Sequence, residues 1–395
     1  MASSTAAADL ITYDATVVTG LEKLAIRECV DKLSLEADPS FSLGHVSLVT
    51  RDRYDKLGKL LSVENIYVSL YKSPGNANLR LVNATVDRLN ELLPTVLEEC
   101  NWRQGLEVWM GASGFDRCSL ETMLDRKPEE EEEEGAGVKP SFRVSCNRSG
   151  HHKFTSPEVC RTFGGLLFDA FHWPVSMKQF DFEVLLTVKD NALGVSICLS
   201  KESLFKRFIV NYGVTSLHGT IAFNMAQLAN VQPGDIVCDP LCGSGVIPVE
   251  TAHSWPQTFL LACDNYPVAI EKTLDNVRAN GMHKSTILWW DSTRMPLKDG
   301  SVDVFITDLP FGKRLGSKEI NKTLYPALFA EMSRCLRPST GRMVLLTTDK
   351  THANQSLHSE EFRQYCFLQQ TIFLKVGNLN AYLFQVKRNG TPFEK

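Results

Sequence analysis

Asp239-Pro-Leu-Cys-Gly-Ser-Gly245, directly after the apolar run Ile236-Val237-Cys238, is the stretch that decides the fold. The run reads as a strand buried on both faces of a parallel sheet. The glycine-bearing segment then falls at the strand's C-terminal end, where open α/β sheets bind ligands. Gly243 and Gly245 let the chain turn sharply into a helix and approach a ligand without side chains in between. Taken alone, such a pair is equally a structural turn.

The acids around it narrow the choice. Asp239 ends this strand with Pro240 and Cys242 behind it, and Asp264, followed by Asn265, ends the next apolar run, Thr258-Phe-Leu-Leu-Ala-Cys263. An acid about twenty residues past the glycines is placed to take ribose hydroxyls. Asp291, with Ser292 beside it, ends the third run, Ser285-Thr-Ile-Leu-Trp-Trp290, and can accept from an adenine amino group. A loop rich in acids and poor in Lys and Arg suits the positive sulfonium of S-adenosylmethionine better than a pyrophosphate. Pro248 stands where a further phosphate-binding glycine would be, which tilts against NAD.

Downstream, Asp308-Leu-Pro-Phe311 follows the apolar run Val304-Phe-Ile-Thr307. In an exocyclic amine the lone pair is delocalised into the ring, so the nitrogen is a poor nucleophile. The Asp308 carboxylate and the Leu309 carbonyl can accept its two N–H bonds, Pro310 stiffens the turn and Phe311 can stack on the base. These four form the expected catalytic set. No Cys follows Pro310, against C5-pyrimidine methylation, which needs a covalent thiolate. With the glycine loop upstream, this segment points to a methyltransferase. Lys313 and Arg314 come next and fit phosphate contacts or a solvated pair equally.

The last third reads strand–helix repeatedly (235–239, 245–254, 258–263, 267–279, 285–290, 302–307, 324–336, 342–348), then two strands, 371–375 and 382–387, around Gly377-Asn-Leu-Asn380. That is the pattern of an α/β, class I (Rossmann-like) methyltransferase sheet with a closing antiparallel pair. The first half alternates strands (15–18, 45–49, 66–70, 106–110) with amphipathic helices, an N-terminal α+β layer of ferredoxin-like type. A second block has strand 142–146, helix 157–171 and strands 182–188 and 193–199. The expected organisation is a disordered tail (1–9), a ferredoxin-like region (10–110), a linker with an acidic run (111–140), an RNA-binding core (141–205) and the methyltransferase domain (206–390).

Bulk composition is that of an ordinary globular protein of 395 residues, with 43% apolar and 22% charged residues. The net charge of −4 does not advertise a nucleic-acid binder, but Glu129 to Glu134 hide the balance elsewhere. Without that run, 46 acids against 42 bases become 40 against 42, leaving room for a basic face. Arg143, Arg148, His151, His152 and Lys153 cluster around one turn, with Arg161 on the helix after it; the cluster fits a phosphate contact and an exposed polar turn equally. Eleven cysteines scattered singly, with no C-x-x-C pair, support neither a zinc site nor a disulfide framework, and no metal is expected. No run of about 18 apolar residues suggests a membrane span, and no signal peptide is evident. The expectation is a soluble intracellular protein, cytoplasmic or also nuclear.

Phe142-Arg-Val-Ser-Cys-Asn-Arg-Ser-Gly150, the stretch from Phe154-Thr-Ser-Pro-Glu158 to Gly165, and Leu217-His-Gly-Thr-Ile-Ala222 resemble a THUMP domain joined to a class I methyltransferase. Asp239 to Gly245 and Asp308 to Ser317 are similar to the THUMP-containing tRNA guanine-N2 methyltransferases, and the resemblance covers nearly everything after residue 10. It implies methyl transfer from S-adenosylmethionine to the N2 amine of a guanine in a tRNA acceptor stem, at position 6, with the THUMP domain gripping the RNA. The short linker around the Glu run departs from relatives that carry a long basic insertion there.

Ile287, Leu288, Trp289 and Trp290 lie on a strand expected at the edge of the sheet, with no charge until Asp291. Natural edges are usually blunted by charge, proline or bulges. The resemblance implies a small zinc-binding activator subunit that adds strands at this edge. An N6-adenine or other amine methyltransferase, and a non-catalytic RNA-binding protein, are the competing readings.

Overall fold

The computed structural model describes residues 10–75, 78–126, 137–213, 216–311 and 318–393. The expected tail (1–9), the Glu run, Lys313 and Arg314 lie outside these.

The first half forms one seven-stranded sheet from β1 (Ile11–Thr16), β2 (Ser40–Ser42), β3 (His45–Thr50), β4 (Asn65–Lys72), β5 (Phe142–Ser149), β6 (Phe182–Lys189) and β7 (Ala192–Cys198). Their order is β2-β3-β1-β4-β7-β6-β5. Every second residue of β1, Ile11, Tyr13 and Ala15, is buried, the alternation of a sheet with one covered face. The covering helices are α1 (Glu22–Lys32), α2 (Tyr54–Leu57), α3 (Val86–Glu99), α4 (Trp102–Ser113), α5 (Leu120–Leu124) and α6 (Ser156–Phe171). α6 begins with a capping box, Thr155 and Glu158 each satisfying the other's backbone.

Two expectations change here. Leu106 to Met110 is not a strand but the middle of α4, where Trp102, Gly105, Leu106 and Trp109 bury one helical face. The helix was signalled by its ends: Asn101 accepts the Gln104 N–H at its start, and Gly114 adopts φ +70° at its finish. Gly105 has no room for a side chain, since a Cβ would lie 1.9 Å from Leu70, so α4 presses directly onto β4. Second, the ferredoxin-like region and the block after the linker share one sheet through the antiparallel β4·β7 pairing and one hydrophobic core. α5 also lies inside the stretch expected as a linker.

The second sheet contains β8 (Ile236–Asp239), β9 (Phe259–Asp264), β10 (Ser285–Trp289), β11 (Val304–Asp308), β12 (Arg342–Thr347), β13 (Cys366–Val376) and β14 (Leu379–Arg388). The order is β10-β9-β8-β11-β12-β14-β13, parallel except for β14, which runs antiparallel to both neighbours. This is the doubly wound sheet with its closing antiparallel pair. Helices α7 (Gly219–Leu228), α8 (Val246–Ser254), α9 (Pro267–Ala279), α10 (Lys318–Cys335), α11 (Lys350–Leu357) and α12 (Glu360–Tyr365) accompany it, with a hydrophobic core on each side.

The two halves meet over specific contacts. Thr19 forms a β-bridge with Lys375, and a Cβ on Gly20 would fall 2.0 Å from the Phe373 carbonyl oxygen. Arg207 donates to the Leu61 carbonyl at 2.6 Å and pairs with buried Glu250 at 3.0 Å. His218 Nδ1 lies 2.9 Å from the Glu64 carboxylate.

Candidate active site

β8 and β11 are neighbours on either side of the point where strand order reverses, and Asp239 and Asp308 end them. Crossovers on opposite faces leave a crevice at such a point. Gly243 and Gly245 have φ of +55° and +80°, a region that costs other residues energy. Among the described residues nothing lies within 4 Å of where a Cβ on Gly243 would stand.

The loop is held by one half-buried and two buried side chains. Asp264 Oδ2 accepts the Gly243 N–H at 3.0 Å, and Asp264 Oδ1 accepts the Tyr266 N–H at 2.9 Å. Lone pairs remain on that carboxylate for a ligand hydroxyl. Thr273 donates to the Gly243 carbonyl at 3.0 Å. Asn276 uses its full hydrogen-bonding capacity: Nδ2 donates to the carbonyls of Asn211 and Ser244, and Oδ1 accepts from the amides of Val210 and Asn211. It ties the segment arriving from the first half to the glycine loop.

Asp239 is buried; Oδ1 accepts the Leu241 N–H at 3.2 Å, while Oδ2 has no hydrogen-bond partner among the described residues. Burial first, and then the charge of Asp308, push its carboxyl well above the usual range. Asp308 keeps some contact with solvent, yet the protein packed around it pushes its carboxyl up to about 7, with the nearby Asp264 charge adding to the rise. Asp291 is exposed and held below the usual range by the N–H and hydroxyl of Thr293. One buried and one half-buried acid raised, and one exposed acid lowered, make a site of graded negative charge.

The remaining cofactor candidates separate by exposure. Pro240 and Ser292 are buried, and Asn265 is exposed with its carbonyl receiving the Trp289 indole N–H at 2.9 Å. Cys242 contributes backbone only, since its thiol is buried 3.5 Å from the Thr273 hydroxyl and burial pushes it upward.

The acceptor segment is fixed at three consecutive residues. Leu309 N–H donates to the Leu346 carbonyl at 2.8 Å, the Pro310 carbonyl accepts from Tyr325 and Asn321, and the Phe311 carbonyl accepts from Thr348. Leu309 is buried, whereas Pro310 and Phe311 are half-buried.

The expected RNA contacts divide. Arg143 is committed within the protein, paired with Glu183 at 3.1 Å and lying 3.9 Å over the Phe180 ring. Arg148 reaches His152 at 3.3 Å. His151, Lys153 and Arg161 are exposed. Their turn is pinned to the loop before α3, with Asn83 N–H donating to the His151 carbonyl and Lys153 N–H to that of Ala84. Exposed Arg80, far off in sequence, lies on that same loop and was missed.

The strand carrying Ile287 and Leu288 is the sheet edge, and Trp289 is 70% exposed there while Trp290 is buried in the core. Thr273, Asn276, Asn321 and Tyr325 were also missed. Their only signal is a polar residue on the buried face of an amphipathic helix. Among the described residues no cluster could hold a metal ion, and no helix is long and apolar enough to cross a membrane.

Residues 209–372 match the family of RMKL-like methyltransferase domains, and residues 120–198 match the THUMP domain. A stretch that matches the THUMP domain thus precedes one that matches the RMKL-like methyltransferase domains. The human tRNA (guanine(6)-N(2))-methyltransferase THUMP3 is 41% identical over 71% of this chain and 57% of its own length. The mouse U6 snRNA (guanine-N(2))-methyltransferase THUMPD2 is 33% identical over 54% of this chain and 39% of its own length. The chain spans about half the length of the first of these curated relatives. TrmN from Thermus thermophilus superposes with a TM-score of 0.74 at 23% identity, covering 96% of this chain and 99% of that one, a likeness of fold. The match to the THUMP domain begins at residue 120, inside the stretch expected as a linker, so α5 belongs to it.

Proposed function

We propose that the protein transfers methyl from S-adenosylmethionine to the N2 amine of a guanine in tRNA, at position 6 of the acceptor stem. The observation that carries this reading is the meeting of Asp308-Leu-Pro-Phe311 with the glycine loop at the tips of adjacent strands β11 and β8. The relatives' guanine-N2 specificity supports the choice of acceptor.

The crevice fits the cofactor. An open cradle at Gly243, an unpaired buried oxygen on Asp239 and the surrounding acids complement a nucleoside bearing a positive sulfonium. S-adenosylmethionine, when bound there, supplies an electrophilic methyl group. Gly243 gives it close approach to the backbone, and Asp264 and Asp291 offer acceptors to ribose and adenine. On the other side, Asp308 and the Leu309 carbonyl accept the two N–H bonds of the guanine amine, with Phe311 against the base. The nitrogen would take the methyl carbon as the carbon–sulfur bond breaks, the bonding pair leaving with the sulfur as a neutral thioether, and would lose one N–H proton. Asp308, with its carboxyl raised to about 7, is suited to take that proton. The THUMP half supplies the RNA grip through the turn carrying His151 and Lys153.

We further propose a small zinc-binding activator subunit that pairs with β10 by strand addition. Its support is the open edge with Trp289 outward and Trp290 and Leu288 anchored in the core beneath.

The test is nucleoside mass spectrometry of RNA incubated with the protein and deuteromethyl cofactor, with and without the activator. Labelled N2-methylguanosine at position 6 of tRNA is expected. Label in N6-methyladenosine, or in U6 snRNA and not in tRNA, overturns the reading.

A further inference from the structure

The Pro310 carbonyl points away from the crevice into a closed ring of buried polar groups. It accepts from the Tyr325 hydroxyl at 2.7 Å and from Asn321 Nδ2 at 3.0 Å. Tyr325 also lies 2.8 Å from the Thr347 hydroxyl, which accepts the Asp349 N–H at 3.0 Å. The Asp349 carboxylate in turn accepts from Asn321 Nδ2 at 3.0 Å and from His352 Nδ1 at 2.8 Å. Asn321, Tyr325 and Thr347 are fully buried and Asp349 nearly so.

Such a ring is expensive to build, because a buried polar atom without a partner costs free energy, and Asn321 Oδ1 has none among the described residues. The core around Tyr325 and Phe329 is largely apolar, and hydrophobic residues of like volume would serve packing alone. What the ring adds is direction. Two donors on one carbonyl fix the rotation of the peptide after Pro310, and the Leu309 N–H to Leu346 carbonyl bond fixes the one before Leu309. The Leu309 carbonyl lies between these tethers, and among the described residues no donor reaches it.

We infer that Asn321 and Tyr325 are positioning residues for the methyl transfer: by clamping the Pro310 carbonyl they aim the Leu309 carbonyl and Asp308 at the substrate amine. This rests on the amine-methylation reading of the site. Both side chains are buried, and their hydrogen bonds go to the Pro310 carbonyl, Thr347 and Asp349. They therefore act on the step in which the amine is oriented and leave cofactor and RNA binding alone. A misplacement of about 1 Å can cost on the order of a hundredfold in rate.

The test compares Tyr325→Phe, Asn321→Ala and the double variant of the full chain. Single-turnover rate, KM for RNA, cofactor affinity by calorimetry and melting temperature are measured on each. Tyr325→Phe deletes one hydroxyl and keeps the ring, so packing is preserved. The expected result is a rate lowered between ten- and a hundredfold in each single variant, with KM and cofactor affinity within twofold of wild type. Because both donors act on one carbonyl, the double variant should lose much less than the product of the two losses. Single-variant rates within twofold of wild type, losses that multiply independently, or cofactor affinity falling in parallel with rate each overturn the clamp. Wild-type transfer to guanine N2 tests the underlying reading separately, since the variant-to-wild-type ratio holds for whichever amine is methylated.

Discussion

Thr273 sits against both glycines of the cofactor loop: its hydroxyl donates to the Gly243 carbonyl at 3.0 Å, and its methyl lies 2.9 Å from where a Cβ on Gly245 would stand. One side chain on α9 thus holds the first glycine and leaves the second no room.

A contrast between two alanine variants follows. Gly243→Ala meets open space and bears only the left-handed backbone cost of about 1–2 kcal/mol. Gly245→Ala bears that cost and also drives a methyl into Thr273, so its melting temperature and cofactor affinity should fall further. Calorimetric titration with S-adenosylmethionine beside thermal unfolding checks this; equal effects would show that Thr273 yields freely.

Asp308→Ala should abolish turnover while cofactor affinity persists. Loss of one group aimed at developing charge costs roughly 3–4 kcal/mol, on the order of a hundred- to thousandfold in rate. Single-turnover kinetics with tRNA, paired with cofactor titration, reads both quantities. Turnover near normal would remove Asp308 from the chemistry.

The pH dependence has a definite sign. Only the ionised Asp308 carboxylate can take the amine proton, and its carboxyl is raised to about 7 chiefly by burial. The methyl-transfer rate should therefore climb with pH through about 7 and level off above it, where an ordinary carboxylate would already be saturated near 5. A flat single-turnover profile from pH 6 to 8 contradicts this assignment.

Asn276→Ala leaves four backbone groups without their buried partner, at about 1–3 kcal/mol for each that water cannot reach. The expected outcome is a melting temperature several degrees lower and weaker cofactor binding, because the glycine loop loses its tie to residues 210–211. Unchanged thermal unfolding would mean that water replaces the amide.

Leu288→Asp combined with Trp289→Asp should abolish co-purification of the activator subunit and lower the activity of the mixture. Cofactor affinity of the lone chain should change little, since the Trp289 contact to the Asn265 carbonyl is at the surface. Binding that survives both substitutions would move the partner elsewhere.

The methyltransferase half was legible from the sequence because its signals are local. Apolar runs of three to six residues, followed by Asp239, Asp264, Asp291 and Asp308, mark strand tips, and a parallel sheet buries such runs on both faces at its centre. Gly243 and Gly245 could be picked out because the left-handed backbone they adopt is a property of single residues. The first half was read less well. Leu106 to Met110 looks like a strand in isolation, and the helix there was decided by Asn101, Gly114 and the press of Gly105 onto Leu70.

What tertiary structure alone decided is pairing at a distance. Strands β4 and β7 lie more than a hundred residues apart, and their union makes one sheet of two expected regions. Arg143 looked like a phosphate ligand until Glu183, on the neighbouring strand, claimed its guanidinium. Asn276, Asn321 and Tyr325 read as ordinary helix residues, since a buried hydrogen-bonding group acquires meaning only from the partners folding brings to it. The residue types assigned to the chemistry were written into the chain, while the polar contacts proposed to aim them exist only once helices α9 and α10 have packed against the sheet.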